Sequence, residues 1–355
     1  MDVKAIAAAL REERLDAWLF YDFHMRDPVA YRVLGLDQVR SASRRWFYLL
    51  PAVGEPVKIV SSVEKWKLDP LPGRSIVYRG WRELLAALAA TLSGLRRVAM
   101  NVSPAGLIPT ISLVDSGTVE LVRSFGCDVV SSVDLAQRFE AALDERGYQS
   151  HVEAGRRVHR IKDAAFDAIR AALRAGRAIT EHDVQQRILQ DFAGDGLTCD
   201  DHPPMVGVNE HAADPHFETR AQGARPIRHG DAILIDLWAR LEEPGSIYHD
   251  ITWCGFAGGE PPAEYIAIFE VVCRARDAAV EFLRSRLASP QGCRGWEVDD
   301  RCRAVIAEAG YGEQFLHRTG HSIGAAVHGN GANLDNLETH DDRRLIPGLC
   351  FSVEP

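Results

Sequence analysis

An aspartate inside an apolar, strand-like segment is the feature that most restricts how this chain can fold. Asp236 interrupts residues 232–238, which otherwise have the composition of a buried strand, and Asp250 lies in a second such segment, residues 248–253. A buried carboxylate is costly unless it is paired or bound to a cation. The intervening residues have turn composition, so an antiparallel hairpin can set the two aspartates side by side, about 5 Å apart. Their repulsion favours a cation between them. The alternative is that each aspartate accepts hydrogen bonds from nearby backbone N–H groups.

Two segments near the end of the sequence carry further residues of metal-binding type. Four of the 13 histidines lie between residues 317 and 340, and the glycines that flank His321 allow a ligand or another backbone to approach closely. Glu354 ends an apolar, strand-like run and directly precedes a proline. Taken with the two aspartates, these imidazole and carboxylate groups suit Mn²⁺, Co²⁺ or Zn²⁺ better than a metal that requires thiolates.

The first 145 or so residues have the pattern of an α/β layer domain, because short strand-like runs alternate with helical patterns. The strands are expected at 18–21, 46–50, 57–60 and 98–100, and the helices at 3–14 and 81–94. Residues 144–147 are polar and charged and mark the expected boundary. We therefore expect one domain at residues 1–148 and a second at 149–355.

The second domain has longer helices and predicts an α+β arrangement, with two helix pairs packed around a bent antiparallel sheet. Thr180 and Asp183 have the spacing of a capping box at the start of one helix. Further helices are expected at 262–287 and 296–309, and strands at 205–208, 232–238, 248–253 and 349–353.

Composition and charge exclude several classes of protein. The formal net charge of −9 lacks the basic character of a nucleic-acid binder. The first residues lack the apolar core of a signal peptide, and the apolar stretch at 84–92 is too short to span a bilayer. The seven cysteines are scattered without C-x-x-C spacing, which indicates buried thiols and no disulfide framework. We therefore expect a cytoplasmic protein without nucleic-acid or membrane partners.

Four motifs together resemble the pita-bread metallopeptidases, the family that includes methionine aminopeptidase, aminopeptidase P, prolidase and creatinase. They are Leu-Ile-Asp at Asp236, Asp-Ile-Thr at Asp250, Gly-His-Ser-Ile-Gly around His321 and Phe-Ser-Val-Glu-Pro around Glu354. The resemblance covers roughly residues 150–355. The preceding α/β domain resembles the N-terminal domain of the aminopeptidase P, prolidase and creatinase branch. The implied fold class is an α+β pita-bread catalytic domain preceded by an α/β creatinase-like domain.

The resemblance implies a site with two divalent metal ions, with manganese favoured over cobalt or zinc. Asp236 would chelate one ion, Asp250 would bridge both, and His321 and Glu354 would bind the second. Glu354 would also help to move a proton. The family's fifth ligand, a glutamate, would lie beyond Pro355, so we expect the sequence to be a fragment that lacks the last strand or strands of this domain.

The resemblance also implies two catalytic histidines and a substrate class. His216 matches a histidine that contacts substrate, and His328 matches one that holds the peptide and stabilises the tetrahedral intermediate. The implied activity is hydrolysis of the Xaa-Pro bond at the N-terminus of short peptides, by a homodimer. Trp253 stands where the family often has arginine, which affects only the expected specificity. Two alternatives stay open at this point, a creatinase-like C–N hydrolase and a non-catalytic pseudo-peptidase that binds a ligand.

Overall fold

The computed structural model describes residues 1–36, 39–215 and 217–355. The chain divides into two units, of which the first contains residues 1–142 and 339–343 and the second contains residues 143–338 and 344–355. None of the helices within the described residues has the length and apolar composition that are needed to cross a membrane.

The first unit is built on a mixed six-stranded sheet with the strand order β4-β3-β2-β1-β5-β6. The strands are β1 (Ala17–Asp22), β2 (Trp46–Pro51), β3 (Val57–Ser61), β4 (Arg74–Tyr78), β5 (Arg97–Met100) and β6 (Asp128–Ser131). The strand β2 pairs antiparallel with β1 and β3, and the other neighbours are parallel. Alternate residues of β1 belong to two different apolar clusters, with Trp18 and Phe20 in one and Leu19 and Tyr21 in the other. Both faces of this strand are therefore covered, which explains why all six of its residues are buried.

The helices of the first unit are short and mostly capped by aspartate. They are α1 (Val3–Glu12), α2 (Pro28–Leu34), α3 (Trp81–Leu92), α4 (Ser116–Ser124) and α5 (Val133–Ala136). The side chains of Asp2, Asp27 and Asp115 accept hydrogen bonds from the first turns of α1, α2 and α4. The helix α3 differs, because it follows Gly80 and has no side-chain cap.

The second unit contains four long helices and a small antiparallel sheet. The helices are α6 (Glu145–Arg174), α7 (Glu181–Gly194), α8 (Ala263–Leu287) and α9 (Gly295–Glu308). The strands are β7 (Leu197–Thr198), β8 (Met205–Val208), β9 (Ala232–Leu241), β10 (His249–Phe256), β11 (Ser322–Ile323) and β12 (Cys350–Phe351). The strand β9 pairs with β7, β8 and β10, while β11 and β12 form a separate pair.

Local signals in the sequence explain where the helices of this unit begin. The capping box is confirmed, since Asp183 N donates to Thr180 Oγ1 at 3.1 Å and Thr180 N donates to Asp183 Oδ2 at 2.8 Å. The polar stretch at 144–147 forms the start of α6, because Asp144 is its N-cap and Glu145 its first residue. The predicted α8 and α9 are present to within about one residue at either end.

The alternation along β9 decides which of its residues face the site. Every second side chain, beginning with Ile233, is buried in the cluster formed with α6 and α7. Asp236 is out of phase with this buried series and therefore points to the opposite face of the sheet.

Candidate metal centre

The hairpin of β9 and β10 places Asp236 and Asp250 on the same face but not directly opposite each other. Asp236 lies opposite Thr252, and Asp250 lies opposite Trp238. The side-by-side arrangement expected from the sequence is therefore wrong by two residues, and the two aspartates are diagonal neighbours. Thr252 Oγ1 occupies the place beside Asp236 and donates a hydrogen bond to Asp236 Oδ1 at 2.8 Å.

Three of the expected ligands converge at one end of this hairpin. His321 Nε2 lies 3.4 Å from Asp250 Oδ2 and 3.3 Å from Glu354 Oε1. One ligand atom from each of the three residues lies within 4.8 Å of the others. The side chains of His321 and Asp250 are 8% and 5% exposed, and that of Glu354 is 30% exposed. Asp236 lies close enough for the charges of Asp250, Glu354 and His321 to shift its pKa.

The strand pair β11–β12 brings His321 and Glu354 together. His321 immediately precedes β11, and Glu354 follows β12 by three residues. Backbone hydrogen bonds extend this pairing past the strands, since Ser352 N donates to His321 O at 2.9 Å and Glu354 N donates to Thr319 O at 2.8 Å. The Gly-His and Val-Glu-Pro motifs therefore lie on two neighbouring strands, and each contributes one side chain to the cluster.

His328, which was assigned a role in holding the peptide, lies against His321. The two rings are nearly perpendicular, with centroids 4.3 Å apart. Burial, reinforced by the nearby charge of His321, lowers the pKa of His328 to about 4, so this imidazole is neutral at pH 7. The other histidine that was assigned a role, His216, lies outside the described residues.

Burial and mutual repulsion disfavour the ionised forms of Asp236 and Glu354 when no cation is present. Burial and the charge of Asp250 raise the pKa of Asp236 to about 8, against the opposing hydrogen bond from Thr252. Burial also raises the pKa of Glu354, which His321 only partly offsets. Burial by itself would lower the pKa of His321, but the hydrogen bond to Asp250 and the charge of Glu354 outweigh it and raise that pKa.

The residues present fit a divalent metal ion. Asp250 Oδ1 is fully buried, and none of the residues that the structure describes offers it a hydrogen-bond donor. A buried carboxylate oxygen without a donor is rare and requires an explanation. An ion ligated by Asp250 would satisfy this oxygen and would relieve the repulsion among the three carboxylates. The donor set of carboxylates and imidazole is the type that Mn²⁺, Co²⁺ and Zn²⁺ accept.

Sequence reasoning missed the residue that anchors the His321 segment. Asp299 on α9 is completely buried and accepts hydrogen bonds from Thr319 N at 2.8 Å, Thr319 Oγ1 at 2.6 Å and Asn336 N at 2.9 Å. Arg303 Nε also donates to it at 2.7 Å. Thr319 is two residues from His321, so Asp299 fixes the segment that carries that histidine. Only the presence of an acid within the apolar pattern of α9 could have indicated this role.

We predict that Asp299→Asn lowers the free energy of unfolding by about 3 kcal/mol, because an amide NH₂ would face donors in a buried site. Chemical denaturation measures this difference. The matched control is Asp300→Asn, since Asp300 is the exposed neighbour on the same helix and accepts from Asn336 Nδ2 at 2.7 Å. It should cost less than about 0.5 kcal/mol. Equal losses in the two variants would contradict the anchoring role of Asp299.

A second group of histidines lies on the other face of β10. His249 precedes Asp250 and points toward α6, where its Nδ1 is 3.3 Å from His151 Nε2. Burial and the two neighbouring histidines lower the pKa of His249 to about 4. Gly155 provides the space for this ring, since a Cβ there would lie 2.7 Å from His249 Cε1. These residues pack against the face of β10 that is opposite to the one carrying Asp250.

The family of this chain is identified by a match between a family sequence profile and the C-terminal part of the chain. The sequence profile of metallopeptidase family M24 matches residues 153–355, which is more than half of the chain. The chain therefore belongs to metallopeptidase family M24.

Several of the similar proteins are named as dipeptidases. Probable dipeptidase PepE of Mycobacterium tuberculosis (strain ATCC 25618 / H37Rv) is 28% identical over 307 residues, which cover 86% of this chain and 75% of that protein. The Xaa-Pro dipeptidase of Lactobacillus helveticus is 28% identical over 232 residues, or 65% of this chain and 56% of that protein. Among solved structures, dipeptidase PepE from Mycobacterium ulcerans aligns with a TM-score of 0.67 at 24% identity and covers 99% of this chain and 86% of its own.

These matches confirm the resemblance that the four motifs indicated. The fold class is confirmed as well, with a pita-bread catalytic domain preceded by an α/β creatinase-like domain. The chain is an enzyme, a metallopeptidase of this family.

Proposed function

We propose that this chain is a metal-dependent exopeptidase that hydrolyses the Xaa-Pro bond at the N-terminal end of short peptides. The observation that carries the proposal is the convergence of Asp250, His321 and Glu354, with Asp236 on the same face of the hairpin. We assign Asp236 to one ion, Asp250 to both ions, and His321 and Glu354 to the second. The family to which the chain belongs supports this assignment.

The residues around the ligands have definable tasks in such a reaction. Bound divalent ions would supply a Lewis acid and would lower the pKa of a coordinated water toward neutrality. Glu354, whose pKa is raised and whose side chain is partly exposed, can accept the proton of the attacking water on a carboxylate oxygen and pass it to the leaving nitrogen. His328 is neutral at pH 7 and can donate a hydrogen bond where negative charge develops on the carbonyl oxygen. We assign His216 to contact with the peptide.

The proline specificity rests on the relatives. One of the similar proteins bears the name Xaa-Pro dipeptidase, and another is described as a probable dipeptidase. In an Xaa-Pro peptide the leaving group is the nitrogen of a tertiary amide, which has no N–H to donate. The choice of manganese over cobalt or zinc and the homodimer stay predictions from the family. The cytoplasmic location stays a prediction from the sequence.

Metal removal gives the direct test of this proposal. After chelation and dialysis, we expect the full-length protein to hydrolyse Ala-Pro and Ala-Pro-Ala at least about a hundredfold more slowly. Added Mn²⁺, Co²⁺ or Zn²⁺ should restore the rate, and the ion that restores most identifies the preferred metal. Ala-Ala serves as the control substrate and should be cleaved slowly under all conditions.

The same assay separates the parts of the proposal. A higher rate with the dipeptide supports a dipeptidase, and a higher rate with the tripeptide supports an aminopeptidase. Cleavage that is unaffected by chelation would contradict the metal-dependent mechanism. Equal rates for Ala-Ala and Ala-Pro would contradict the proline specificity but not the metal centre.

A further inference from the structure

A cavity in the first unit has a lining that the peptidase reaction does not use. Its volume is about 290 Å³, and all of its lining residues lie between positions 23 and 81. It lies where the ends of β3 and β4 meet the start of α3. The lining combines three arginines, three aromatic residues and two serines with Val63 and Gly80, and consists of Phe23, Arg44, Arg45, Ser61, Ser62, Val63, Tyr78, Arg79, Gly80 and Trp81.

The charge of this cavity opposes that of the whole chain. The protein has a formal net charge of −9, yet the described residues that line the cavity include three guanidinium groups and no carboxylate. Two acids approach from outside the lining, since Glu83 pairs with Arg79 at 3.1 Å and Glu64 accepts from Arg44 N at 2.8 Å. The guanidinium of Arg45 has no ion pair with any residue that the structure describes. A positive potential in an acidic protein attracts anions to this point.

The polar groups are arranged for an anion that accepts several hydrogen bonds. Guanidinium groups bind carboxylate and phosphate oxygens through paired N–H donors. Tyr78 OH donates to Arg45 O at 2.7 Å, which fixes the backbone of Arg45 at the wall of the cavity. The backbone start of α3 lies at the same opening. Its N-cap, Gly80, has no side chain, and the acid in its first turn, Glu83, is paired with Arg79.

The apolar part of the lining indicates that the ligand is larger than a free ion. Trp81 is 58% exposed and Val63 is 65% exposed, although both are side chains that gain from burial. Arg82 stacks on the Trp81 ring, with its guanidinium carbon 4.3 Å from the centroid, and Phe23 contributes a further half-buried ring. A cavity of this size with aromatic walls suits a small organic molecule with a flat ring.

We propose that this cavity binds a small organic phosphate, namely a phosphate monoester carried on a flat ring. Phosphate is preferred to carboxylate because it offers more acceptor oxygens and more negative charge to the three guanidinium groups that line the cavity. The ring would lie against Trp81 and Phe23, and the phosphate would be held by Arg44, Arg45 and Arg79. This function is additional to the peptidase activity, and none of its residues belongs to the unit that carries the metal centre.

Isothermal titration calorimetry on the full-length protein tests the proposal. The protein is first freed of metal by chelation and dialysis, so that phosphate cannot bind through an ion at the metal centre. AMP and phenyl phosphate are the probes, with adenosine, benzoate and inorganic phosphate as the matched ligands. We expect both monoesters to bind, and each of the matched ligands to bind at least about tenfold more weakly.

Variants locate the site. Arg45→Gln and, independently, Arg79→Gln are each expected to weaken the binding of AMP by about tenfold or more. The control is Arg74→Gln, because Arg74 is exposed on β4 but does not line the cavity. It should bind like the wild type. Thermal unfolding of all three variants shows whether a loss of binding reflects a loss of fold, and the use of two lining variants keeps the test valid if one of them is unstable.

Several results would overturn the proposal. The site is disproved if neither monoester binds, or if the lining variants bind as the control does. If benzoate binds as tightly as phenyl phosphate, the site has no preference for phosphate over carboxylate. If inorganic phosphate binds as tightly as AMP, the ring does not contribute to binding. Stronger binding of AMP than of phenyl phosphate would identify a nucleotide as the source of the phosphate, and the reverse order would indicate another aromatic ester. None of these readings depends on peptide hydrolysis.

Discussion

The Asp250→Asn variant is expected to fold and to lose peptidase activity by about a thousandfold or more. Asp250 is the centre of the cluster, since its Oδ2 faces His321 and its charge contributes to the raised pKa of Asp236. Asparagine has nearly the same shape, but it removes the charge and replaces one oxygen by an NH₂ group that cannot bind a cation. Hydrolysis of Ala-Pro with added Mn²⁺ measures the loss.

A stability measurement separates the loss of metal binding from the loss of fold. An ion that binds only the folded protein stabilises it, by about 2.7 kcal/mol at a hundredfold excess over its dissociation constant. We therefore expect Mn²⁺ to raise the melting temperature of the wild type and to leave that of Asp250→Asn unchanged. Asp167→Asn is the control, because Asp167 is exposed on α6, where it pairs with Arg170. Wild-type activity or a wild-type response to Mn²⁺ in Asp250→Asn would refute the assignment of Asp250 as a metal ligand.

Strands that are buried on at least one face could be predicted from the sequence, and exposed edge strands could not. The expected strands at 18–21 and 46–50 correspond to β1 and β2, which lie inside the sheet and are fully buried. The strands β4 and β6 lie at its two edges and were not predicted. Four of the five residues of β4 are exposed or half-buried. The sequence of an exposed edge strand therefore lacks the alternation of apolar and polar residues by which a strand is recognised.

The residues that converge at the candidate site could be predicted from residue type, whereas the register of the two strands that carry the aspartates could not. Asp236 and Asp250 had to lie on the same face, because each is an acid at a position where an apolar strand turns away from the core. A shift of two residues keeps that face, and the segment between β9 and β10 is long enough to close in either register. The structure pairs Asp236 with Thr252, so only contacts across the hairpin determine which atoms meet.

Supporting residues were missed because they come from distant parts of the sequence. Asp299 lies 20 residues before Thr319, on a helix, and has no motif of its own. His151 on α6 meets His249 from the other side of the sheet. These contacts depend on how α6 and α9 pack, which periodicity alone does not specify.

Gly320→Ala is expected to lower the free energy of unfolding by about 3 kcal/mol, and to lower activity by about a hundredfold. A Cβ at this position would lie 2.0 Å from Ser352 O, which is a backbone atom and cannot rotate away. Gly320 also exchanges backbone hydrogen bonds with Leu334, so it is confined on both sides. The added methyl group must therefore push apart the two segments that carry His321 and Glu354. A displacement of these ligands by about 1 Å is enough for such a loss of rate.

The same motif contains its own control. Gly324 lies four residues further on, and a Cβ there would have its nearest neighbours at 3.9 and 4.0 Å, which is ordinary contact. Gly324→Ala should therefore change stability by less than about 1 kcal/mol and should keep most of the activity. Denaturation curves and Ala-Pro hydrolysis for the two variants measure the contrast. If both alanines were tolerated, the close pairing of residues 320 and 352 would not be what holds His321 beside Glu354, and the metal centre would have to be positioned by Asp299 and the β9–β10 hairpin alone.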